Sequence, residues 1–326
     1  MSKRILRAKT PLWAIYCGEK IRQFSYLWRP GFSMCAKTGI FEEPFFIVGC
    51  GRSGNTLLRS MLMAGGDVVI PPESYVWPRV IRKFLAYKHL PWEEICSIVI
   101  SEFEAHQDFH MWECNIAKAH EFARKTPPEQ RCLPALFEAV YKAYALEIDR
   151  EGKRWGDKTP INTIYADKIY RVYPKALYIH IIRDPRDVAN SYVKAARKNR
   201  FMELTTVEKA ASFWKASVGT VEKLKKRNKS IKIIEIKYED LVSEPVRMLQ
   251  DVSAFLNIPF KQEMLDFWKR TSELGDVKYY EHHANLSSPL NTGSIGKWKE
   301  ELSERDCRQI KNIVGSLAGA YGYDLK

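Results

Sequence analysis

The chain has none of the close cysteine pairs that mark zinc-binding or disulfide-rich domains. Its seven cysteines are scattered, odd in number and never spaced as C-x-x-C. Zinc sites and small disulfide-braced domains usually depend on such pairs. We therefore expect no metal site and a protein of a reducing compartment, although the count leaves room for one or two disulfide bonds.

The sequence also lacks long apolar runs and nucleic-acid-binding signatures. No stretch reaches the roughly 18 apolar residues needed to cross a membrane. Lys9, Glu19, Lys20 and Arg22 interrupt the first apolar stretches, so there is no continuous signal-peptide core. RNA-binding motifs, zinc-finger spacing and a helix-turn-helix pattern are absent too. These absences predict a cytoplasmic protein that does not bind nucleic acid.

What the chain has in excess is positive charge. Its 326 residues contain 52 Lys and Arg against 39 Asp and Glu, a net charge of +13. Such an excess suits a polyanionic cofactor, nucleic acid or an anionic membrane surface. Residues 1–43 form a separate basic amphipathic segment, because positions 1–40 mix basic residues with Trp, Tyr, Phe, Leu and Ile. This segment fits either peripheral membrane contact or a helix packed on the domain.

From residue 44 the pattern alternates between strands and helices. It predicts a single domain over 44–326 with a central, mainly parallel sheet between two helical layers, an α/β/α arrangement. The predicted strands are 45–49, 67–70, 176–182 and 232–237. The predicted helices are 55–64, 75–88, 92–107, 113–124, 134–151, 162–173, 185–198, 206–228, 244–256, 261–270 and 303–320, with a long loop at 275–295.

A glycine-rich turn after the first strand is the strongest chemical signal. The spacing Gly49-x4-Gly54-Asn55-Thr56 fits the phosphate-binding pattern G-x-x-x-x-G-K-[ST] except that Asn55 replaces the lysine. The backbone N–H groups of the turn and the helix N-terminus still suit a phosphate. Arg52 places a cation inside the loop. This pattern also leaves open a P-loop kinase or NTPase.

A second cationic position follows strand 176–182. Arg183 lies at the carboxyl end of that strand, where open α/β sheets bind ligands, and Ser191 lies about two turns into the next helix. The pair suits a second anionic group. The alternative is that Arg183 simply pairs with Asp184 or Asp187.

Further positions along the chain carry polar groups of interest. Lys158 lies in a rigid turn between helices, ahead of a proline. Glu73 follows a strand and two prolines, and the alternative is a surface glutamate paired with Arg79 or Arg82. Tyr238 is predicted to end a strand, where its ring could meet the edge of an adenine base. Ser294 and Lys297 belong to the loop 291–299, which either closes over a nucleotide or is simply the cap of the last helix. His282 and His283 rival Glu73 as a general base, whereas His180 is expected to be a buried core histidine.

The motifs together resemble the sulfotransferases that use 3′-phosphoadenosine 5′-phosphosulfate (PAPS). Four elements occur in the family's order: the loop ending in Gly54-Asn55-Thr56, the stretch from Arg183 to Ser191, Tyr238-Glu-Asp-Leu, and Gly293-Ser-Ile-Gly-Lys-Trp298. The resemblance covers about residues 44 to 325. Pro-Glu at Glu73 and Asp-Lys-Thr-Pro at Lys158 look closest to the tyrosylprotein sulfotransferases and their bacterial relatives.

The resemblance implies a P-loop-like fold, PAPS as co-substrate, no metal, and transfer of a sulfuryl group to an acceptor hydroxyl. It implies that Glu73 is the general base and that Arg52 and Lys158 stabilise the transition state. The implied donor-binding residues are Arg52, Ser53, Gly54, Asn55, Thr56 and Leu57 for the 5′-phosphosulfate, Arg183, Ser191 and Lys297 for the 3′-phosphate, and Tyr238 and Ser294 nearby.

The acceptor is left open by the sequence. A carbohydrate, a lipid, a phenol or a peptide tyrosine all suit the aromatic residues between 75 and 112, which we expect to line the acceptor side. A homodimer is compatible with the pattern. The chain departs from the tyrosylprotein enzymes in two respects. It lacks their bracing cysteines beside Glu73 and Lys158, and Gly296 occupies the position of a loop serine, so that contact is lost or moves to Ser294.

Overall fold

Five parallel strands form the centre of the protein. The computed structural model describes residues 10–26, 28–36, 39, 41–198, 203–275, 277 and 286–325. The strands are β1 (Phe45–Val48), β2 (Val68–Val69), β3 (Arg154–Asp157), β4 (Leu177–Ile182) and β5 (Lys232–Lys237). They pair in the order β2-β3-β1-β4-β5, and every described pairing is parallel. The predicted α/β class is confirmed.

Helices cover both faces of this sheet. They are α1 (Leu12–Tyr26), α2 (Asn55–Gly65), α3 (Trp77–Tyr87), α4 (Trp92–Glu104), α5 (Ala117–Arg124), α6 (Leu133–Glu147), α7 (Ala166–Val172), α8 (Pro185–Lys198), α9 (Val207–Arg227), α10 (Tyr238–Ser243), α11 (Pro245–Leu256), α12 (Trp298–Glu301) and α13 (Glu304–Ala320). Among the described helices, none has the length and apolar content to cross a membrane.

The side chains of β1 point alternately to the two faces of the sheet, which explains why helices pack on both sides of it. Successive strand side chains point to opposite faces, so Phe45 and Ile47 pack with α2, α10 and α11 in one core. Phe46 and Val48 pack in a second core with α3, α4 and α6. Because both faces are covered, all four residues are buried. The central strand therefore reads as a continuous apolar run, as expected for a parallel sheet.

Strand β3 was missing from the sequence prediction. It is four residues long, contains Gly156, and has charged residues at both ends, so it shows neither an apolar run nor alternation. Gly156 is needed there, because a Cβ would lie 2.4 Å from the Phe45 ring. The prediction that Lys158 lies in a turn between helices was therefore wrong. Lys158 directly follows a strand that pairs with β1.

Three other element assignments also change. Tyr238 does not end a strand but begins helix α10, one residue after β5 ends. The predicted helix 261–270 is two 3-10 segments, Gln262–Met264 and Phe267–Glu273. The predicted helix 162–173 starts as the 3-10 segment Pro160–Tyr165 and becomes α-helical only at α7. Periodicity does not distinguish these tighter turns from α-helix.

The parallel strands bring the candidate residues to one edge of the sheet. The glycine-rich loop follows β1, Glu73 follows β2, Lys158 follows β3, Arg183 follows β4, and Tyr238 follows β5. Since carboxyl ends of parallel strands share an edge, five loops that are distant in sequence meet there.

Candidate active site

A cleft of about 930 Å³ opens at the carboxyl edge of the sheet. This volume lies in the range that holds a drug-sized ligand. Its wall carries more cations than carboxylates. The basic residues in the wall are Arg52, Arg183, Lys194, Arg197, Lys198 and Lys297, and the acidic ones are Glu73, Asp187 and Glu301. The cleft is therefore suited to an anionic ligand.

The glycine-rich loop adopts a backbone that only small residues allow. Gly54 has φ 94° and caps α2, and a Cβ there would lie 2.5 Å from the Tyr238 ring. A Cβ on Gly51 would lie 2.1 Å from the Tyr192 hydroxyl. Arg52 itself has φ 67°, a left-handed conformation that is strained for a side-chain-bearing residue. The loop is thus held tightly against its neighbours, with the Arg52 side chain in the cleft wall.

The side chain of Asn55 does not act like the missing lysine. Its amide donates to the backbone carbonyl of Cys50 at 2.8 Å, which ties the loop to itself. The anion-binding groups at this position are therefore backbone N–H groups. Asn55, Thr56 and Leu57 form the first turn of α2 and line the cleft. First-turn N–H groups have no acceptor within their own helix, and the helix dipole favours an anion there.

Ser53 is less exposed to the cleft than its sequence position predicts. It is fully buried and does not belong to the cleft wall. Its N–H donates to the Cys50 carbonyl at 3.3 Å. Of the predicted 5′-phosphate donors, Ser53 is therefore the one whose N–H is already used inside the loop.

Glu73 and Lys158 form a close ion pair beneath the cleft. The Lys158 Nζ lies 2.6 Å from Glu73 Oε1 and 3.3 Å from the Thr56 hydroxyl. Lys158 is completely buried, whereas the Glu73 side chain keeps 19% of its surface exposed. The alternative surface pairing of Glu73 is wrong for Arg79, which pairs instead with Glu102 at 2.7 Å.

Tyr75 lines the cleft and contacts Glu73, and the sequence did not predict this contact. Its hydroxyl donates to Glu73 Oε2, the carboxylate oxygen opposite the one bound by Lys158. Tyr75 has a left-handed φ of 51° and its ring stacks on His106 at 5.7 Å. A phenol hydroxyl therefore already rests on the Glu73 carboxylate inside the cleft. The unusual backbone of an aromatic residue here was not readable from sequence.

Asp157 is the second residue that the sequence reasoning overlooked. Its buried carboxylate accepts hydrogen bonds from four side chains, which are Trp77 Nε1 at 3.2 Å, Tyr141 at 2.6 Å, Ser74 at 3.2 Å and Asn162 at 2.9 Å. Burial, followed by the nearby Asp157 charge, raises the pKa of Tyr141. Because Ser74 follows Glu73 and Asp157 precedes Lys158, this carboxylate fixes the two loops relative to each other. Its place in Asp-Lys-Thr-Pro was the available signal.

We expect Asp157→Ala to destabilise the fold strongly. Removing the carboxylate leaves several buried donors without an acceptor, and each such loss costs on the order of 1–3 kcal/mol. With four donors affected, urea denaturation should show a loss of about 4 kcal/mol or more in the free energy of unfolding. Glu138→Ala is the matched control, because this buried carboxylate accepts from Trp155 and also pairs with a half-exposed Lys142. Equal losses in both variants would contradict the central position of Asp157.

Arg52 of the glycine-rich loop contacts Ser191 on α8. Its Nε donates to the Ser191 hydroxyl at 3.0 Å. Burial lowers the pKa of Arg52 from its ordinary value, and the nearby Arg183 charge acts in the same direction while Tyr192 and Glu73 oppose it. Arg52 is partly buried and Arg183 is buried, and two neighbouring cations of this kind are stabilised when an anion binds between them.

Arg183 is oriented by backbone carbonyls and an aromatic ring. Its guanidinium donates to the carbonyls of Arg52, at 3.0 Å, and Ser294, and it lies 4.3 Å over the Tyr238 ring centre. Its buried Nε has no hydrogen-bond partner among the described residues. The alternative pairings are wrong, because Asp184 pairs with Arg186 at 2.7 Å and Asp187 accepts from the backbone. The Arg183 charge is not neutralised by either carboxylate.

Asp187 binds the backbone of the C-terminal loop and holds this loop next to Arg183. The two Asp187 carboxylate oxygens accept the N–H groups of Gly296, at 2.8 Å, and Trp298, at 3.1 Å. The Arg186 guanidinium lies 3.7 Å over the Trp298 ring. Gly296 has φ 75°, which explains why a glycine stands at this position. Ser294 and Lys297 of the same loop line the cleft, as predicted.

Other predicted candidates do not reach the cleft. His180 is fully buried in β4, and its Nδ1 lies 2.9 Å from Glu235. His282 and His283 lie outside the described residues. Of the aromatic residues expected to line the acceptor side, Tyr75 alone is in the wall; the buried ones among them, Trp77, Phe84, Trp92, Phe103 and Trp112, are core residues. They fill the space between α3, α4 and α6.

The apolar part of the cleft wall comes from later in the chain. It consists of Pro160, Ile161, Phe213, Phe267, Leu286, Pro289 and Leu290. Phe213 lies on α9, and the others lie in loops and 3-10 segments, so their convergence depends on the tertiary fold. A phosphate-binding loop, a buried carboxylate–lysine pair and a second cation at one sheet edge together define a nucleotide-dependent group-transfer enzyme.

Comparison with known proteins specifies the class. A profile of the Sulfotransferase family matches residues 44–262, and the chain belongs to this family. A provisionally named protein-tyrosine sulfotransferase of Caenorhabditis briggsae is 25% identical over 290 residues, which cover 87% of this chain and 90% of the relative. Protein-tyrosine sulfotransferase 1 of Danio rerio is 22% identical over 286 residues, covering 86% of this chain and 72% of the relative.

A solved structure supports the fold. The sulfotransferase domain of the Synechococcus PCC 7002 olefin synthase superimposes with a TM-score of 0.57 at 20% identity, over 89% of this chain and 99% of that domain. The family resemblance is confirmed, and the chain is a PAPS-dependent sulfotransferase. The P-loop kinase or NTPase interpretation is set aside. Asn55 at the lysine position agrees with this, since a nucleoside triphosphate site relies on that lysine.

Proposed function

We propose that the protein transfers the sulfuryl group of PAPS to the phenolic hydroxyl of a peptide tyrosine, with Glu73 as general base. The observation that carries this proposal is the contact of the Tyr75 hydroxyl with Glu73 Oε2. A phenol hydroxyl reaches the base within the cleft, and the other carboxylate oxygen is fixed by Lys158. A general base must lie within hydrogen-bond reach of the proton that it accepts.

The donor is proposed to bind between two cationic positions. The 5′-phosphosulfate lies at the first turn of α2, on the N–H groups of Asn55, Thr56 and Leu57. The 3′-phosphate lies near Arg183 and Ser191, with Lys297 of the C-terminal loop nearby. Tyr238 supports both halves, because its ring packs against Gly54 and beneath the Arg183 guanidinium. The six basic residues of the wall provide the charge for a ligand that carries a phosphosulfate and a phosphate.

The reaction is proposed to be an in-line displacement at sulfur. The acceptor oxygen forms the new S–O bond while the bond from sulfur to the 5′-phosphate oxygen breaks, and its electron pair leaves with adenosine 3′,5′-bisphosphate. The acceptor proton passes to Glu73. Arg52 and Lys158 offset the negative charge that spreads over the sulfuryl and bridging oxygens. By analogy with phosphoryl transfer, positioning and electrostatic stabilisation supply most of the rate.

Two observations favour a peptide tyrosine as acceptor. The relatives named above are described as protein-tyrosine sulfotransferases. The apolar wall suits an aromatic ring, and Arg197 and Lys198 at the end of α8 add positive charge to the cleft wall. A tyrosine in an acidic peptide matches both features.

An acceptor panel tests this proposal. The protein is incubated with sulfur-labelled PAPS and matched peptides that differ only in one residue, tyrosine, phenylalanine or serine, beside a simple phenol and an oligosaccharide. Label should enter the tyrosine peptide and be absent from the phenylalanine peptide. If label enters the oligosaccharide in preference to the tyrosine peptide, the proposed acceptor is wrong. The proposal that PAPS is the donor is not affected by that result.

We expect Arg183→Ala to weaken donor binding selectively at the 3′-phosphate. A hydrogen bond to a charged group is worth about 1.5–3 kcal/mol, so the Kd of adenosine 3′,5′-bisphosphate should rise roughly 10- to 100-fold. Calorimetric titration measures this. Adenosine 5′-monophosphate is the control ligand, because it lacks the 3′-phosphate and its affinity should not change. A parallel loss for both ligands would show that Arg183 acts on the fold of the loop instead.

A further inference from the structure

Helix α1 presents its apolar residues away from the protein. Leu12, Tyr16, Lys20 and Phe24 recur every four residues and form one row on the helix. Trp13 lies beside this row, and all five are exposed, with Leu12 84% and Phe24 63% accessible. No residue of α1 is buried. A surface helix normally turns its apolar stripe toward the core, so this orientation is the reverse of the usual one.

The opposite row of α1 faces the body of the protein. Ala14, Arg22 and Tyr26 are partly buried. Arg22 pairs with Glu94 at the start of α4. The chain then returns to the body at the turn between α3 and α4, where the Phe32 N–H donates to the Lys88 carbonyl at 3.0 Å. The helix is therefore held to the body of the protein through the row that contains Arg22.

The exposed apolar residues are concentrated at this end of the protein. Ten large apolar side chains are exposed in the described part of the chain. They are Leu12, Trp13, Ile15, Tyr16, Ile21, Phe24 and Trp28 in the N-terminal segment, Leu85 and Tyr87 on α3, and Val246 on α11. Leu85 and Tyr87 lie at the end of α3, next to the turn where the segment docks. A concentration of this kind marks a surface that contacts a partner.

The positive charge of this surface indicates whether a second copy of the chain or a lipid surface covers it. The outward row contains the cation Lys20 and no carboxylate. Residues 1–40 of the sequence contain eight basic residues and one acidic residue. A twofold contact between two copies would bring Lys20 and this basic segment close to themselves, which is unfavourable. An anionic lipid surface accepts both the cations and the Trp and Tyr side chains.

We propose that α1, together with the end of α3, docks the enzyme on an anionic lipid surface. The apolar row enters the interface between headgroups and acyl chains, and the basic residues meet the lipid phosphates. This docking is independent of the donor site, because no residue of α1 lines the cleft.

Vesicle flotation of the full chain tests the proposal. Wild-type protein should float with phosphatidylcholine vesicles that contain phosphatidylserine and be released by salt. Trp13→Ser/Phe24→Ser should lower the partition coefficient roughly 100-fold, and Lys20→Glu about tenfold. The matched controls are Val246→Ser on α11 and the exposed Lys215→Glu on α9, which should bind like wild type.

Three results would overturn the proposal. They are equal binding to pure phosphatidylcholine vesicles, absence of vesicle binding, and a dimer in sedimentation velocity that the Trp13→Ser/Phe24→Ser variant disperses while vesicles are ignored. The affinity for adenosine 3′,5′-bisphosphate, measured in the same preparations, should be equal in all variants. A failed flotation with intact nucleotide binding therefore rejects the docking surface and leaves the proposed catalysis untouched.

Discussion

Replacing Glu73 by glutamine is expected to lower kcat about 1000-fold while donor affinity stays near that of the wild type. General acid–base catalysis contributes roughly 100- to 10,000-fold. The amide keeps the size of the carboxylate, and its oxygen can still accept a hydrogen bond from Lys158. It cannot take the acceptor proton, so the loss should fall on kcat. Initial rates at saturating donor and acceptor measure it.

The matched control for this substitution is Glu102→Gln. Glu102 is a carboxylate on α4 that pairs with Arg79 and Lys83, and it lies outside the cleft wall. Its replacement removes a paired carboxylate of the same kind and should leave kcat unchanged. A kcat of Glu73→Gln within a few-fold of wild type would remove Glu73 from the role of base.

Lys158→Ala is expected to lower kcat by about 100- to 1000-fold. This is the typical effect of removing one preorganised group that stabilises transition-state charge. Lys158 is fully buried and its Nζ contacts both Glu73 and the Thr56 hydroxyl, so the cation is held without solvent beside the proposed base and the glycine-rich loop. Its loss removes positive charge where the leaving oxygen is proposed to lie and frees the orientation of Glu73.

A paired lysine elsewhere provides the control for Lys158. Lys225 on α9 contacts Glu222 at 2.8 Å and Glu235 at 2.7 Å, away from the cleft. Lys225→Ala should change stability without changing kcat. In Lys158→Ala, circular dichroism and nucleotide titration check that the fold and donor site survive. If the kcat loss of Lys158→Ala tracks a loss of folded protein, the lysine is structural and not catalytic.

The elements that carry the candidate donor-binding residues could be predicted because their motifs are local. The loop from Gly49 to Thr56 is a contiguous strand, turn and helix start, and the Arg183 to Ser191 stretch has the same form. Each carries its own glycine, proline or N-cap signals, which act within a few residues. The parallel arrangement of their strands then followed from the alternation of elements.

The proximity of Lys158 to Glu73 required tertiary information. Strand β3 has no apolar run of its own and is recognisable only when Gly156 packs on Phe45. Without that strand, the closeness of Lys158 to Glu73 is not visible. The contact of Tyr75 with Glu73 depends in turn on a left-handed backbone that no local rule predicts for tyrosine.

The acceptor wall was misplaced for a similar reason. The aromatic residues of α3 and α4 are regularly spaced and were expected to face a substrate. In the structure they fill the core, with Trp77 stacked on Phe137 at 3.8 Å. Aromatic spacing identifies a buried face but does not say whether protein or ligand covers it. The apolar residues that line the cleft, such as Phe213 and Leu290, come from segments with no shared pattern.

A single-turnover measurement tests the proposed reaction most directly. Protein preloaded with one equivalent of labelled PAPS is mixed with an excess of tyrosine peptide, and labelled peptide is followed over time for wild type and Glu73→Gln. Sulfated tyrosine should appear fast with wild type and about 1000-fold more slowly with Glu73→Gln, although both proteins bind the donor. Equal rates in the two proteins, or donor binding with no label on tyrosine, would contradict the proposed reaction.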